Sequence, residues 1–96
     1  LRAIHFGDLG DFSVPTSLKD VVIVLFHIDE NHSFKGTTVN KASSRLRGSM
    51  PIIFREEDQE SKPLFPDGDM DIKEGDTVVM VLKQEYLSLA DELNGG

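Results

Sequence analysis

The sequence predicts an α+β domain: a small mixed or antiparallel β-sheet with two short helices packed on it. Three observations predict it. Residues 21–26 and 77–82 are dominated by β-branched and long apolar side chains, as strands are. Residues 37–47 and 84–93 instead carry their apolar side chains at helical spacing. The segments follow one another as strand, helix, strand, hairpin piece, strand, helix, an order in which helices cover one sheet.

Each element has a local cause. Residues 1–20 admit two readings, an N-terminal arm or linker, or a short hairpin. In the hairpin, residues 2–6 and 11–14 are strands, Gly7, Asp8, Leu9 and Gly10 form the turn, and Pro15 stops the ladder. Residues 21–96 form the domain proper. The run Val21-Val22-Ile23-Val24-Leu25-Phe26 is continuously apolar, the pattern of a strand covered on both faces. Residues 27–33 are polar and turn-forming. Residues 37–47 read as a helix with Val39, Ala42 and Leu46 as its apolar stripe. Thr37 or Thr38 caps its start, Arg45 and Arg47 suit its C-terminal dipole, and Gly48 is placed to close it in a left-handed conformation.

Residues 50–55 read as the next strand, and residues 56–62 as a charged loop. Pro63-Leu64-Phe65-Pro66 is extended and confined to an edge by its prolines. Asp67-Gly68-Asp69 and Ile72-Lys73-Glu74-Gly75-Asp76 are turns, the second leading into the strand at 77–82. Leu87, Ala90 and Leu93, widened by Leu89, form the apolar side of the last helix. Val22, Val24, Phe26, Ile53, Val79 and Val81 are core candidates, worth about 1.5–3 kcal/mol each when fully buried. Phe34, Leu64, Phe65 and Tyr86 either cap that core or form a surface on which two copies meet.

Composition narrows the function. The chain has 96 residues, 39% hydrophobic and 28% charged, a globular balance for one domain with one modest core. So short a chain leaves little room for a separate active-site cleft. It starts at Leu1, which fits a piece of a longer polypeptide. No apolar run approaches the roughly 20 residues a bilayer requires, and no signal-peptide pattern is present. With no cysteine, disulfides, thiolate chemistry and Cys-ligated zinc are excluded, which suits a reducing cytoplasm. The net charge is −7 and the Lys and Arg residues are scattered. That argues against nucleic acid as a partner and against adhesion to an anionic membrane face.

The chemistry-bearing motifs mostly fail on inspection. Asp67, Asp69 and Asp71 match the first ligand positions of a calcium-binding EF-hand loop, but Ile72 and Val78 stand where Gly and Glu are needed. The stretch reads as a solvated tip. His27 and His32 with Asp29 or Glu30 could ligate zinc, although residue 32 lies past the turn. No nucleophile elbow and no glycine-rich phosphate loop occurs. The chain is therefore expected not to be an enzyme, with no catalytic residue, no metal and no cofactor.

Taken in order, several pieces resemble the TrkA-C family, also called the RCK C-terminal domain. They are residues 22–28, Ser33-Phe34-Lys35-Gly36-Thr37-Thr38-Val39, Ile52-Ile53-Phe54-Arg55, Pro63-Leu64-Phe65-Pro66, the stretch 72–81 and Gln84-Glu85-Tyr86-Leu87. The resemblance covers about three quarters of the chain and rests on order and spacing, since no single piece is specific. It departs in the polar helix (Asn40, Lys41, Ser43, Ser44) and in the acidic stretch 56–62.

The resemblance implies a cytoplasmic regulatory domain of a potassium, or other cation, channel or transporter, held at the inner face of the cell membrane by its parent protein. It implies a homodimer, with an isologous contact. It also implies a small-ligand pocket at Phe26, His27, Ile28, Asn31, Ser33, Thr37 and Asn40, for a nucleotide such as cyclic di-AMP. Asp29 and Glu30 place negative charge beside that pocket, against a phosphate. One alternative rests on Gly95-Gly96. Ubiquitin-like sulfur carriers and modifiers expose such a tail, though it normally follows the last strand directly.

Overall fold

The computed structural model describes residues 2–5 and 20–94. Its strands are β1 (Arg2–His5), β2 (Val21–His27), β3 (Ser49–Glu57), β4 (Glu60–Leu64) and β5 (Thr77–Lys83). They form one sheet in the order β1-β2-β5-β3-β4, with every neighbouring pair antiparallel. The helices are α1 (Val39–Leu46) and α2 (Leu87–Leu93), the second preceded by a single 3-10 turn at Gln84–Tyr86. The predicted α+β class holds, and the sheet is wholly antiparallel.

Arg2–His5 pairs with β2, Ile4 opposite Ile23, so the start of the chain supplies an edge strand. The turn expected at 7–10 and the strand expected at 11–14 lie outside the described residues, as do Gly95 and Gly96.

The core lies on one face of the sheet. Val22, Val24 and Phe26 from β2 alternate inward, as do Val78, Met80 and Leu82 from β5. Val39, Ala42 and Leu46 of α1 and Ala90 and Leu93 of α2 close over them. The alternation is the period-2 geometry of a strand. The run 21–26 predicts burial on both faces, yet Val21, Ile23 and Leu25 on the other face are only half-buried. Both helices join the core cluster on the opposite side, so among the described residues no helix covers this second face. Val79 and Val81, expected in the core, share that half-buried face, whereas Ile53 is fully buried.

Residues 56–62, expected as a loop, are instead a continuation of β3, a two-residue turn and β4. Glu57 pairs with Glu60, and the turn residues Asp58 and Gln59 have φ of 52° and 67°. Two positive φ values are the hairpin turn whose twist matches the strands. The sequence hides it because neither residue is glycine, and because β4 is an exposed polar edge without apolar alternation. Pro63 sits on that edge, as its missing N–H requires.

The closure of α1 also differs from expectation. Thr38 caps the start, its hydroxyl accepting from Lys41 N at 3.3 Å. Arg47, not Gly48, takes the left-handed conformation, with φ 48° and ψ 37°. Gly48 serves by being small: a Cβ there would stand 2.7 Å from the Val81 carbonyl oxygen. The chain leaving α1 passes against β5 too closely for a side chain.

Candidate functional site

The link between β2 and α1 carries the residues to which the sequence assigns a ligand. It is folded as consecutive turns. His32 N donates to Asp29 O, Lys35 N to His32 O, and Thr37 N to Phe34 O. The Thr37 hydroxyl donates to the same Phe34 carbonyl at 2.8 Å. The segment 68–76 runs alongside and ties the link down. Gly36 N donates to Ile72 O at 2.9 Å, Ile72 N to Thr37 O at 2.8 Å, and Gly75 N to Ile28 O at 2.7 Å.

The start of α1 is occupied in the same way. Val39 N donates to Met70 O, Asn40 N to Gly68 O, Lys41 N to the Thr38 hydroxyl and Ala42 N to Thr38 O. A helix start ordinarily leaves its first four N–H groups free and can receive an anion through them. Here three of them, on Val39, Asn40 and Lys41, are spent on the protein itself, and Ala42 N makes the first bond of the helix ladder.

The seven assigned residues separate into two groups. Phe26 and Ile28 have no accessible surface and belong to the core. His27, Asn31, Ser33 and Asn40 are exposed and Thr37 is half-buried. Asn31 N donates to the Asp29 carboxylate at 2.9 Å, an Asx turn at the tip of the link. Two open depressions flank the domain. One of about 830 Å³ lies at the opposite end of the sheet, lined by Asp20, Val21, Lys83, Gln84, Glu85 and Ser88. Another of about 350 Å³ lies beside Arg55 and Asp76. None of the seven lines either.

His32 is the most constrained polar group of the link. It is 7% exposed and packs against Phe26 and Phe34, with ring centroids 5.6 and 5.4 Å away. Its Nδ1 accepts from Phe34 N at 3.0 Å, so the ring proton sits on Nε2 and is donated to Asn94 Oδ1 at 3.0 Å. Burial lowers its pKa below 6.5, partly opposed by the Asn94 bond and by Asp29. Both nitrogens are engaged, so His32 is a neutral clasp from the link to the end of α2, not a free zinc ligand. Among the described residues no three histidine or carboxylate side chains gather as a metal site.

The second constrained group joins β3 to the turn before β5. Asp76 is 1% exposed. Arg55 meets it through two hydrogen bonds, Nε to Oδ1 at 2.9 Å and Nη2 to Oδ2 at 2.8 Å. Lys73 N donates to Asp76 Oδ2 at 2.9 Å, and Arg55 Nη2 also reaches the Asp71 carbonyl at 3.2 Å. The hydrogen bonds from Arg55 to Asp76 raise the guanidinium pKa further. Every polar atom of the carboxylate is thus used, as burial of a charge demands. Gly75, at φ 90°, makes the turn that aims Asp76 inward. Arg55 and Asp76 are visible in the sequence as a strand end and a Gly-Asp turn. Their pairing across 21 positions has no local signal.

Of the residues expected to cap the core or meet a second copy, Phe34 is fully buried, and Tyr86 packs partly buried against the core. Leu64 is half-buried and Phe65 is 79% exposed. Asp67, Asp69 and Asp71 are exposed, with Asp69 N donating to the Asp67 side chain at 3.0 Å, as in a solvated turn.

The sulfur-carrier alternative finds no support. α2 follows β5, buries Ala90 and Leu93, and Asn94 is bonded to His32, so the chain is docked rather than free after its last strand. Among the described residues no helix is long and apolar enough to cross a membrane.

No protein-family model matches the chain. No curated protein matches it. Among solved structures it is similar to the RCK domain of GsuK, with a TM-score of 0.54 and 18% identity over 80% of this chain. The match spans 17% of that chain's length. At this identity the likeness is one of fold: the protein has an RCK-like α+β fold.

Proposed function

We propose that this chain is the regulatory domain of a potassium, or other cation, channel or transporter. It works in the cytosol, at the inner face of the membrane, as a ligand-sensing or dimerisation module. The observation that carries the reading is the RCK-like fold over 80% of the chain, reached independently by the order of sequence pieces from residue 22 to residue 87. The work is recognition rather than catalysis. The most constrained polar groups, His32 and the Arg55–Asp76 pair, are engaged with the protein itself, as parts that hold a shape. A ligand that binds one arrangement of a homodimer better than another biases the attached membrane protein by that difference in affinity.

The test is the solution mass of the chain by light scattering, together with its thermal stability, with and without cyclic di-AMP, ATP and NADH. The expected result is a dimer. Stabilisation by one nucleotide identifies the sensed ligand, bound through the exposed side chains His27, Asn31, Ser33 and Asn40. A dimer indifferent to all three is an assembly module. A monomer with no response overturns the reading.

A further inference from the structure

Charge is segregated along the chain. Residues 31–55 hold five of the 10 Lys and Arg residues and none of the 17 Asp and Glu residues. Two of the five are occupied: Lys35 stands 4.0 Å from Glu74, and Arg55 holds Asp76. The other three, Lys41, Arg45 and Arg47, lie on α1 and its C-terminal cap and are exposed. Among the described residues no carboxylate pairs with them. With Asn40 and Ser44 they make up the exposed side of α1, which carries no acidic and no apolar side chain.

These cations stand where they oppose folding. Thr38 is the N-cap, so Lys41 is the third residue of the helix. A cation there faces the positive end of the helix dipole, in the place where a capping box has Glu or Gln. Lys41 and Arg45 are also like charges four residues apart, a repelling pair. Arg47 holds the left-handed conformation at φ 48°, which suits glycine. Arg45 alone is well placed for the dipole, in the last turn. Residues that break local rules with no compensating contact in the domain mark a function rather than a fold.

We propose that the exposed side of α1 is the docking surface for an acidic segment of a partner polypeptide. Charge and shape select this occupant. Lys41 and Arg45 are about 6 Å apart along the helix axis, close to the roughly 6.8 Å between alternate residues of an extended chain. The turn at 67–71 abuts the start of the helix, with Val39 N bonded to Met70 O and Asn40 N to Gly68 O. Asp67, Asp69 and Asp71 are exposed on that turn. A broad anionic surface, a bilayer or a nucleic-acid duplex, laid along α1 would also meet those three carboxylates. A narrow segment running from Lys41 toward Arg47 leads away from them. With no apolar anchor on this side, ion pairs alone hold the segment, so the contact is weak and sensitive to salt.

Fluorescence anisotropy of a labelled peptide of alternating Glu and Ala, titrated with the 96-residue chain, tests the proposal. The peptide of alternating Gln and Ala is the reference. Binding of the Glu peptide is expected in about the millimolar range at 0.15 M salt and roughly fivefold tighter at about 0.02 M. Lys41→Glu is expected to weaken it about tenfold and Arg47→Gly about threefold. Both variants are also expected to melt above the wild type: the first completes the capping box and pairs with Arg45, and the second relieves the left-handed cap. Lys62→Glu makes the same change in net charge on the β3–β4 hairpin and is expected to leave binding within about twofold. Equal binding of the Glu and Gln peptides overturns the proposal. So does an equal loss in Lys62→Glu and Lys41→Glu, which would show an effect of net charge. Tighter binding to phosphatidylserine vesicles or to a DNA oligonucleotide than to the Glu peptide would assign the face to phosphate instead. A fall in melting temperature in both Lys41→Glu and Arg47→Gly would show that these cations serve the fold.

Discussion

The two faces of the sheet are made of nearly the same residues and do different work. On one, Val22, Val24, Phe26, Val78 and Met80 have no accessible surface and lie under two helices. On the other, Val21, Ile23, Leu25, Val79 and Val81 come from the same two strands and keep part of their surface exposed. Side-chain chemistry alone does not separate the two sets. What separates them is the connection: the link and α1 leave β2 on one side, and the 3-10 turn and α2 return to that same side. A continuous apolar strand records a demand for two coverings, and the helices meet one of them.

Truncation is the strongest way to sharpen that contrast. Phe26→Ala removes a fully buried ring touching His32 and Phe34 and is expected to cost about 3–5 kcal/mol, enough to unfold a marginal domain of this size. Leu25→Ala, one residue away on the open face, is expected to cost about 1 kcal/mol in the monomer, because its surroundings are already partly solvent. Chemical denaturation at low protein concentration measures both. Equal losses would show that the open face is covered within the monomer after all.

The rim of the covered face depends on charge, and breaking that charge comes next in size. Asp76→Ala leaves Arg55 facing the half-buried space and strands Lys73 N without its acceptor. The expected loss is about 3 kcal/mol, at the lower end for a broken buried pair because Arg55 keeps some solvent contact. Lys62 and Glu57 form the opposite case, an exposed pair at 3.5 Å on the β3–β4 hairpin. Lys62→Ala is expected to change stability by under about 0.5 kcal/mol. Thermal melts of the two variants side by side give the comparison.

These contrasts mark how far the sequence could be read. Period and composition place β2, β5, α1 and α2, because burial of one face leaves a period-2 or period-3.6 trace. The hairpin at Asp58-Gln59 leaves none: its turn residues are not glycine and β4 buries almost nothing. Val79 and Val81 are misassigned to the core because in a doubly apolar strand the phase of burial is set by where the helices return, which no local pattern carries. The site divides along the same line. Exposed link residues such as Asn31 and Ser33 are legible as a polar turn. The closing of α1's first N–H groups by Gly68 and Met70 is not, since those carbonyls arrive from 28 and more positions away and belong to the backbone.

His32 makes the covered side sensitive to pH, to a smaller extent. Burial lowers its pKa below 6.5 in the folded state, so the unfolded chain binds a proton more readily. Stability is then fully present above about pH 6.5 and falls as the pH drops below that value through the folded pKa. Protonation also removes the acceptor that Phe34 N uses. The expected signature is a fall in melting temperature between pH 7 and pH 5 that His32→Gln largely flattens. A profile unaltered by His32→Gln would show that the clasp does not govern the covered side.

Where α1 meets β5, the expected effects carry opposite signs at adjacent positions. Arg47 holds a left-handed conformation at φ 48°, which costs a residue with a side chain roughly 1 kcal/mol relative to glycine. Arg47→Gly is therefore expected to stabilise the domain by about 0.5 kcal/mol, the relief of strain being partly offset by the greater freedom of glycine in the unfolded chain. Gly48→Ala should destabilise it by at least about 1 kcal/mol, because the new Cβ meets the Val81 carbonyl at 2.7 Å and Leu82 Cβ at 3.2 Å. Leu82 lies on the covered face and Val81 on the open one, so a backbone shift at Gly48 presses on both. If Gly48→Ala also weakens self-association while Arg47→Gly leaves it intact, the face that carries Val81 depends on the register of β5 and not only on its side chains. If neither changes association, the two faces are mechanically independent, and the contrast between them is one of covering alone.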